Sequence, residues 1–252
     1  MKLWVCVAAL GVWLLAAGSI AADNDREHEE DAHLEALFRE CLDETFRAEP
    51  MTATRLGEHR FDGELDDISA QARERRLERL KRQLARLKSG VRYAQLSRAG
   101  QIDSEIFQHH LEREIWLAEH FKPFEDDPRI YGEYLTESVY LVLMQSTLPK
   151  EENLRHAIAR MGQIGRIVEE ARRAIGNPPR VKVETAIRQT HGAIGFYEDE
   201  IFQLTGEPPG RGELGERARA AAELMKTHLE FLKTDVLPRA QGEWRIGKEL
   251  FA

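Results

Sequence analysis

From residue 33 onward, apolar residues return at intervals of three and four, the spacing that lines one face of an α-helix. Leu34, Leu37, Phe38, Cys41, Leu42 and Phe46 form the first such face and predict a helix over 33–48. Pro50 suits the first turn of a short second helix, and Gly57 suits its left-handed stop. Residues 58–68, EHRFDGELDDI, are polar and read as a loop. Ser69 is placed to cap a helix over 70–89, closed by Gly90, with Leu77, Leu80, Leu84 and Leu87 as a heptad-like stripe. Asp103 is expected to cap a helix running to about Phe121, with Ile106, Phe107, Leu111, Ile115 and Trp116 inside. A strongly apolar helix over 132–145 should lie deep. Pro149 opens a long helix to Ile175, and the two prolines of GNPP (176–179) cannot continue it. Two more helices, over 181–204 and 213–236, end at Gly206 and Pro238. No segment alternates apolar and polar residues over a strand's length, and no repeat is visible. The pattern predicts an all-α array of about seven to eight helices, with 32–252 as a single domain.

The start of the chain departs from this pattern. Met1-Lys2 is a short basic beginning, Leu3–Ala17 is a nearly continuous apolar run, and 18–22 (GSIAA) supplies small residues before Asp23. This is the plan of a secretory signal peptide over 1–22. The alternative, an uncleaved anchor, is disfavoured because the run is short against the roughly 20 residues of a membrane span. No Cys follows the run at a lipid-attachment position. An exported protein, periplasmic or extracellular and free of the membrane after cleavage, is expected. Residues 23–31, DNDREHEED, are too charged to pack and read as a disordered tail.

Composition narrows the function classes. The 252 residues are 32% charged and carry a formal net charge of −8. A mildly acidic chain lacks the basic face that nucleic acid or an anionic membrane requires. Arg73, Arg75, Arg76, Arg79, Lys81, Arg82, Arg86 and Lys88 make one helix locally basic. Without interleaved aromatics it reads as a solvated face. Cys41 is the sole Cys beyond the leader, so no internal disulfide is available, and its apolar neighbours mark it as a buried thiol.

Candidate chemistry is sparse. His28 and His33 are five apart, where two His ligands on one helix face need a spacing of four. Glu105/His109, His110/Glu114 and Glu152/His156 have that spacing, yet a bundle metal site draws Glu-x-x-His motifs from two helices, and i,i+4 pairing accounts for these three pairs. Asp66-Asp67 and Asp126-Asp127 are turn residues by default. Neither a Gly-x-Ser-x-Gly elbow nor a glycine-rich phosphate loop occurs, and no Ser has an evident His and Asp context. What remains is the compact polar corner of Glu58, His59, Arg60 and Asp62 directly after Gly57.

Residues 50–69, PMTATRLGEHRFDGELDDIS, resemble the N-terminal signature of the bacterial domain-of-unknown-function 885 proteins. IDSEIF (102–107), IGNPP (175–179), ETAIRQTHG (184–192) and WRIGKELF (244–251) resemble later stretches of the same family, in order. The resemblance implies a secreted, helical, zinc-metallopeptidase-like protein with a peptide substrate and a zincin-like fold, of which this chain is the N-terminal helical half. The family's presumed metal site is a His-Glu pair followed by Pro-Gly-His-His. The latter is absent here, and the sole His-Glu is His28-Glu29. No catalytic or metal-binding residue carries over, and zinc is expected only in a complete family member. The apolar ending, with Trp244, Ile246, Leu250 and Phe251, is expected to meet a missing C-terminal half. In that frame His59, Arg60 and Asp62 are candidates for a substrate-cleft wall. The competing reading of the corner is a bend stapled by Arg60–Asp62 or Glu58–Arg60 bonds. The competing reading of the whole chain is a free-standing periplasmic helical binding or scaffold protein.

Overall fold

The structure is a computed structural model that describes residues 29–145, 147–245 and 247–248. The leader, residues 23–28 of the charged tail, and Ile246, Leu250 and Phe251 lie outside the described residues. Every regular element among the described residues is helical, as the pattern predicts, and none is a strand. The chain divides into two compact units. One takes residues up to Asp43 with Arg75–His120; the other takes Glu44–Glu74 and everything from Phe121 on.

In the first unit, α1 is helical from residue 29, the first described, through 48, and so already covers the four residues ahead of the helix the apolar pattern suggests. The expected tail residues Glu29–Asp31 are helical because two of their carboxylates have partners. Glu30 is buried, accepting the Arg92 backbone N–H at 2.7 Å and its Nε at 2.9 Å. Burial works against ionisation of Glu30, but the Arg92 bonds outweigh it and hold the carboxyl below its ordinary value. Asp31 accepts the Ser97 N–H at 3.1 Å. Leu34, Leu37 and Cys41 pack with Leu87 of α3 (Ala70–Gly90) and with Leu96. Phe38 meets Phe107 edge-on at 5.0 Å. The helix expected from Asp103 begins at Arg98 (α4, Arg98–His120). Ser97 rather than Asp103 is its cap, since the Ser97 hydroxyl accepts the Gly100 N–H at 3.1 Å. The basic side of α3 is answered by carboxylates: Arg76 by Glu114, Lys81 by Glu119, Arg86 by Glu40 and Lys88 by Glu112.

The second unit holds α2 (Pro50–Arg55), α5 (Pro123–Asp126), α6 (Ser138–Gln145), α7 (Lys150–Met161), α8 (Ile164–Ala174), α9 (Arg180–Gly195), α10 (Ile201–Thr205), α11 (Gly212–Phe231) and α12 (Leu237–Arg239). Met51, Tyr131, Val139, Ile164, Ile167, Val183, Ile201, Met225 and Leu232 fill its core. Each such side chain contributes about 1.5–3 kcal/mol by leaving water. Small buried residues, Ala186 and Ala193 on α9 and Ala218, Ala221 and Ala222 on α11, let these neighbouring helices approach. The long helix expected over 149–175 is broken at Gly162-Gln163. The Gln163 amide donates to the Gly63 carbonyl at 2.8 Å and accepts the Leu65 N–H at 3.1 Å, so a distant loop takes part in the break. Wide π-helical turns occur at Glu133–Glu137, Phe196–Glu200 and Leu232–Val236. Such turns cluster at functional sites.

Candidate functional site

The polar corner is built by punctuation in the chain. Pro50 starts α2, and Gly57, at φ 81°, ends it in the left-handed region that a side chain disfavours. Glu58 then accepts the Arg60 N–H at 3.0 Å and pairs with its Nε at 3.0 Å, which winds His59–Phe61 into a single 3-10 turn. The turn delivers Asp62 to the interior, where it has no exposed surface. Asp62 Oδ1 accepts the Thr54 hydroxyl at 2.6 Å, and Oδ2 lies 2.8 Å from His59 Nδ1. His59 Nε2 in turn lies 3.1 Å from Thr147 Oγ1. From α7, His156 Nδ1 approaches Asp62 Oδ2 at 4.0 Å, and Arg160 donates to Thr54 Oγ1 at 2.5 Å and to the Ser138 carbonyl at 2.7 Å. Burial presses the Arg160 guanidinium down to about 10, against the pull of Asp62 and Asp66. Nearby, Asp66 accepts the Met51 N–H at 2.9 Å, and burial raises its carboxyl to about 6.

Of the three residues singled out in the sequence, the fold joins His59 and Asp62. Arg60 instead pairs with Glu58 and lies over the Phe61 ring at 5.1 Å. The Glu58–Arg60 staple is therefore present, but it accompanies a buried cluster rather than replacing one. Thr54, Thr147, His156 and Arg160 were missed. Periodicity places His156 and Arg160 one turn apart on α7, which was the available signal, but the His156 spacing pointed equally to Glu152. Nothing in the sequence marks Thr147.

A second feature includes none of the corner's residues. An open cleft of about 860 Å³ is walled by the 123–130 turn, by α9 and α11, and by two of the π-helical turns. Leu135, Phe196 and Met225 make it apolar, and Glu133, Glu137 and Glu200 bring carboxylates. Glu133 and Glu137 are both bonded to Arg55, at 3.1 and 3.0 Å. His228 lines the cleft, 1% exposed, and burial with the Arg172 charge presses its imidazole down to about 4. His228 Nδ1 and Thr136 Oγ1 are buried with no hydrogen-bond partner among the described residues. Both residues belong to the cleft lining, whose mix of apolar side chains and a few polar groups suits a small ligand.

The zinc that the family resemblance implies does not fit the side chains present. Among the described residues no three His, Cys, Asp or Glu side chains are grouped to hold a metal ion. Asp62 is already engaged by Thr54 and His59, and the Glu105 and Glu114 carboxylates are taken by Tyr93 and by Arg76 and Arg113. No helix among the described residues is long and apolar enough to cross a membrane.

The fold is similar to that of a solved structure described as "a putative lipoprotein of unknown function from Shewanella oneidensis". The TM-score is 0.76 at 23% identity, over 86% of this chain and 41% of that one. The chain thus spans about two fifths of the length of this relative, and at such identity the likeness concerns the fold. A comparison with curated proteins finds no match. The sequence profile described as bacterial protein of unknown function (DUF885) matches residues 50–252, from the α2 corner through both walls of the cleft. The chain therefore belongs to the DUF885 family of bacterial proteins.

Proposed function

We propose that this chain is the N-terminal helical region of an exported, zinc-metallopeptidase-like hydrolase, and that it holds peptide substrate while the metal is bound elsewhere in the complete protein. The observation that carries this reading is the cleft: about 860 Å³, lined by apolar Leu135, Phe196 and Met225 together with the carboxylates of Glu133, Glu137 and Glu200. An extended peptide offers both the apolar side chains and the backbone groups such a surface takes. Export is supported by the apolar leader and by the lipoprotein description of the Shewanella oneidensis relative. A free-standing periplasmic binding protein is the second reading, favoured by the fact that the cleft is built within one unit.

Gly192 gives the test. It lines the cleft on α9, and a Cβ there meets nothing within 4 Å. Gly192→Trp should occupy the cleft without straining the helix. Fluorescence anisotropy with labelled mixed-sequence peptides is expected to show saturable binding by the native chain, weakened at least tenfold in Gly192→Trp at unchanged melting temperature. No binding, or equal binding by both, overturns the reading. Peptide hydrolysis by this chain alone would overturn the division of labour.

A further inference from the structure

The corner holds an arrangement that the cleft reading does not use. Asp62, His59 and Thr147 lie in sequence as buried carboxylate, imidazole and hydroxyl, at 2.8 Å (Oδ2 to Nδ1) and 3.1 Å (Nε2 to Oγ1). We propose that Thr147 and His59, positioned by Asp62, form an acyl-transfer site for small carboxylic esters.

The chemistry follows from who can donate. Oδ2 of Asp62 accepts, so the His59 proton sits on Nδ1 and the lone pair on Nε2 faces the Thr147 hydroxyl. A base oriented by a third group and within hydrogen-bond reach of a hydroxyl is the general arrangement of an activated oxygen nucleophile. Asp62 cannot swing away, since it is fully buried and its other oxygen holds the Thr54 hydroxyl, which itself is held by Arg160. Access is the opposite: Thr147 is exposed and the His59 side chain is 22% exposed. The reactive end of the array therefore opens to solvent while its anchor is closed.

In the first half-reaction Thr147 Oγ bonds to the acyl carbon and its proton passes to His59 Nε2. The ester C–O bond then breaks, and the leaving alkoxide takes that proton. In the second, water attacks the acyl-threonine, gives its proton to His59, and releases the carboxylic acid as Thr147 regains a hydrogen. No oxidant, metal or co-reactant other than water is required. The alkoxide of an ester leaves more readily than the amide nitrogen of a peptide, which is why esters are the substrate class proposed.

The test uses the whole chain with p-nitrophenyl acetate, and with a fluorophosphonate whose attachment is mapped by peptide mass spectrometry. Hydrolysis of the ester and a phosphonyl group on Thr147 are expected. Thr147→Ala should abolish the label and the enzymatic rate, and Thr147→Ser should keep both. His59→Gln should slow turnover by roughly 10²-fold or more. Asp62 is a positioning residue. Asp62→Asn should lower kcat more than it changes KM and should alter the pH–rate profile, which loss of packing alone would not do. Thr147 lies at the surface, so its variants report chemistry and not folding. A label on another residue, or equal ester hydrolysis by the native chain and Thr147→Ala, overturns the proposal and leaves the peptide-binding result untouched.

Discussion

Asp66 and His228 are buried in the same unit and respond to pH in opposite directions. Asp66 is 9% exposed, and burial lifts its carboxyl from 3.8 to about 6. At about 1.36 kcal/mol per pH unit, ionised Asp66 costs the folded chain about 3 kcal/mol relative to the unfolded one. The native state binds the extra proton between pH 3.8 and 6, so stability from this group rises as pH falls through that window. His228 is 1% exposed and titrates at about 4 instead of 6.5. Here the unfolded chain binds the extra proton, so about 3 kcal/mol is lost as pH falls from 6.5 to 4. The two terms nearly cancel in the native protein, and single substitutions should expose them. Asp66→Asn keeps an oxygen for the Met51 N–H but no charge. It is expected to stabilise by up to about 3 kcal/mol at pH 7, a gain that vanishes near pH 4. His228→Phe keeps a ring against Tyr131 and Phe231 but cannot be protonated. Its stability relative to the native chain should improve by about 3 kcal/mol between pH 7 and pH 4, whatever constant offset its packing adds. Urea unfolding followed by far-UV circular dichroism, at half-unit pH steps, measures both differences. Parallel curves for all three proteins would refute the assignment of these groups.

Arg160→Ala should cost about 3–5 kcal/mol, because it strips a buried charge from the Thr54 hydroxyl and the Ser138 carbonyl beside Asp62 and leaves the carboxylate's charge uncompensated; the melting temperature checks this. Glycine-to-alanine changes should split by site: Gly192→Ala, with open space, gains about 1 kcal/mol of helix propensity. Gly215→Ala should lose stability instead, since its Cβ would sit 2.5 Å from the Gly210 backbone; a pair of thermal melts decides. Glu30→Ala should loosen the start of α1 by about 2 kcal/mol through the lost bonds to Arg92, read as faster amide exchange over residues 29–36. Because the Glu30 carboxyl is held below its ordinary value, its contribution is present at neutral pH and fades on acidification.

Much of this protein was legible in its hydrophobic pattern. The helical class, the α2 stop at Gly57, the cap at Ser69 and the GNPP break each rest on interactions within a few residues, and such interactions repeat in any surroundings. The family, too, was legible: the stretch 50–69 that carried the resemblance opens the matched residues, 50–252. Where a boundary depended on a distant partner, sequence reasoning failed. The early start of α1 needs Arg92, 62 residues on from Glu30, and the break between α7 and α8 involves a Gln163 that reaches back to Gly63 and Leu65. The site shows the same limit more sharply. His59 and Asp62 are three residues apart and could be suspected, whereas Thr147 lies 88 residues from His59 and carries no local mark. The cleft is assembled from turns and helices spread over more than a hundred residues, and it is lined in part by π-helical turns that no periodicity announces. Local propensity and amphipathic spacing thus determine which segments are helices and which faces are buried. Only packing decides which buried face meets which, and therefore where a carboxylate, an imidazole and a hydroxyl come within reach of one another.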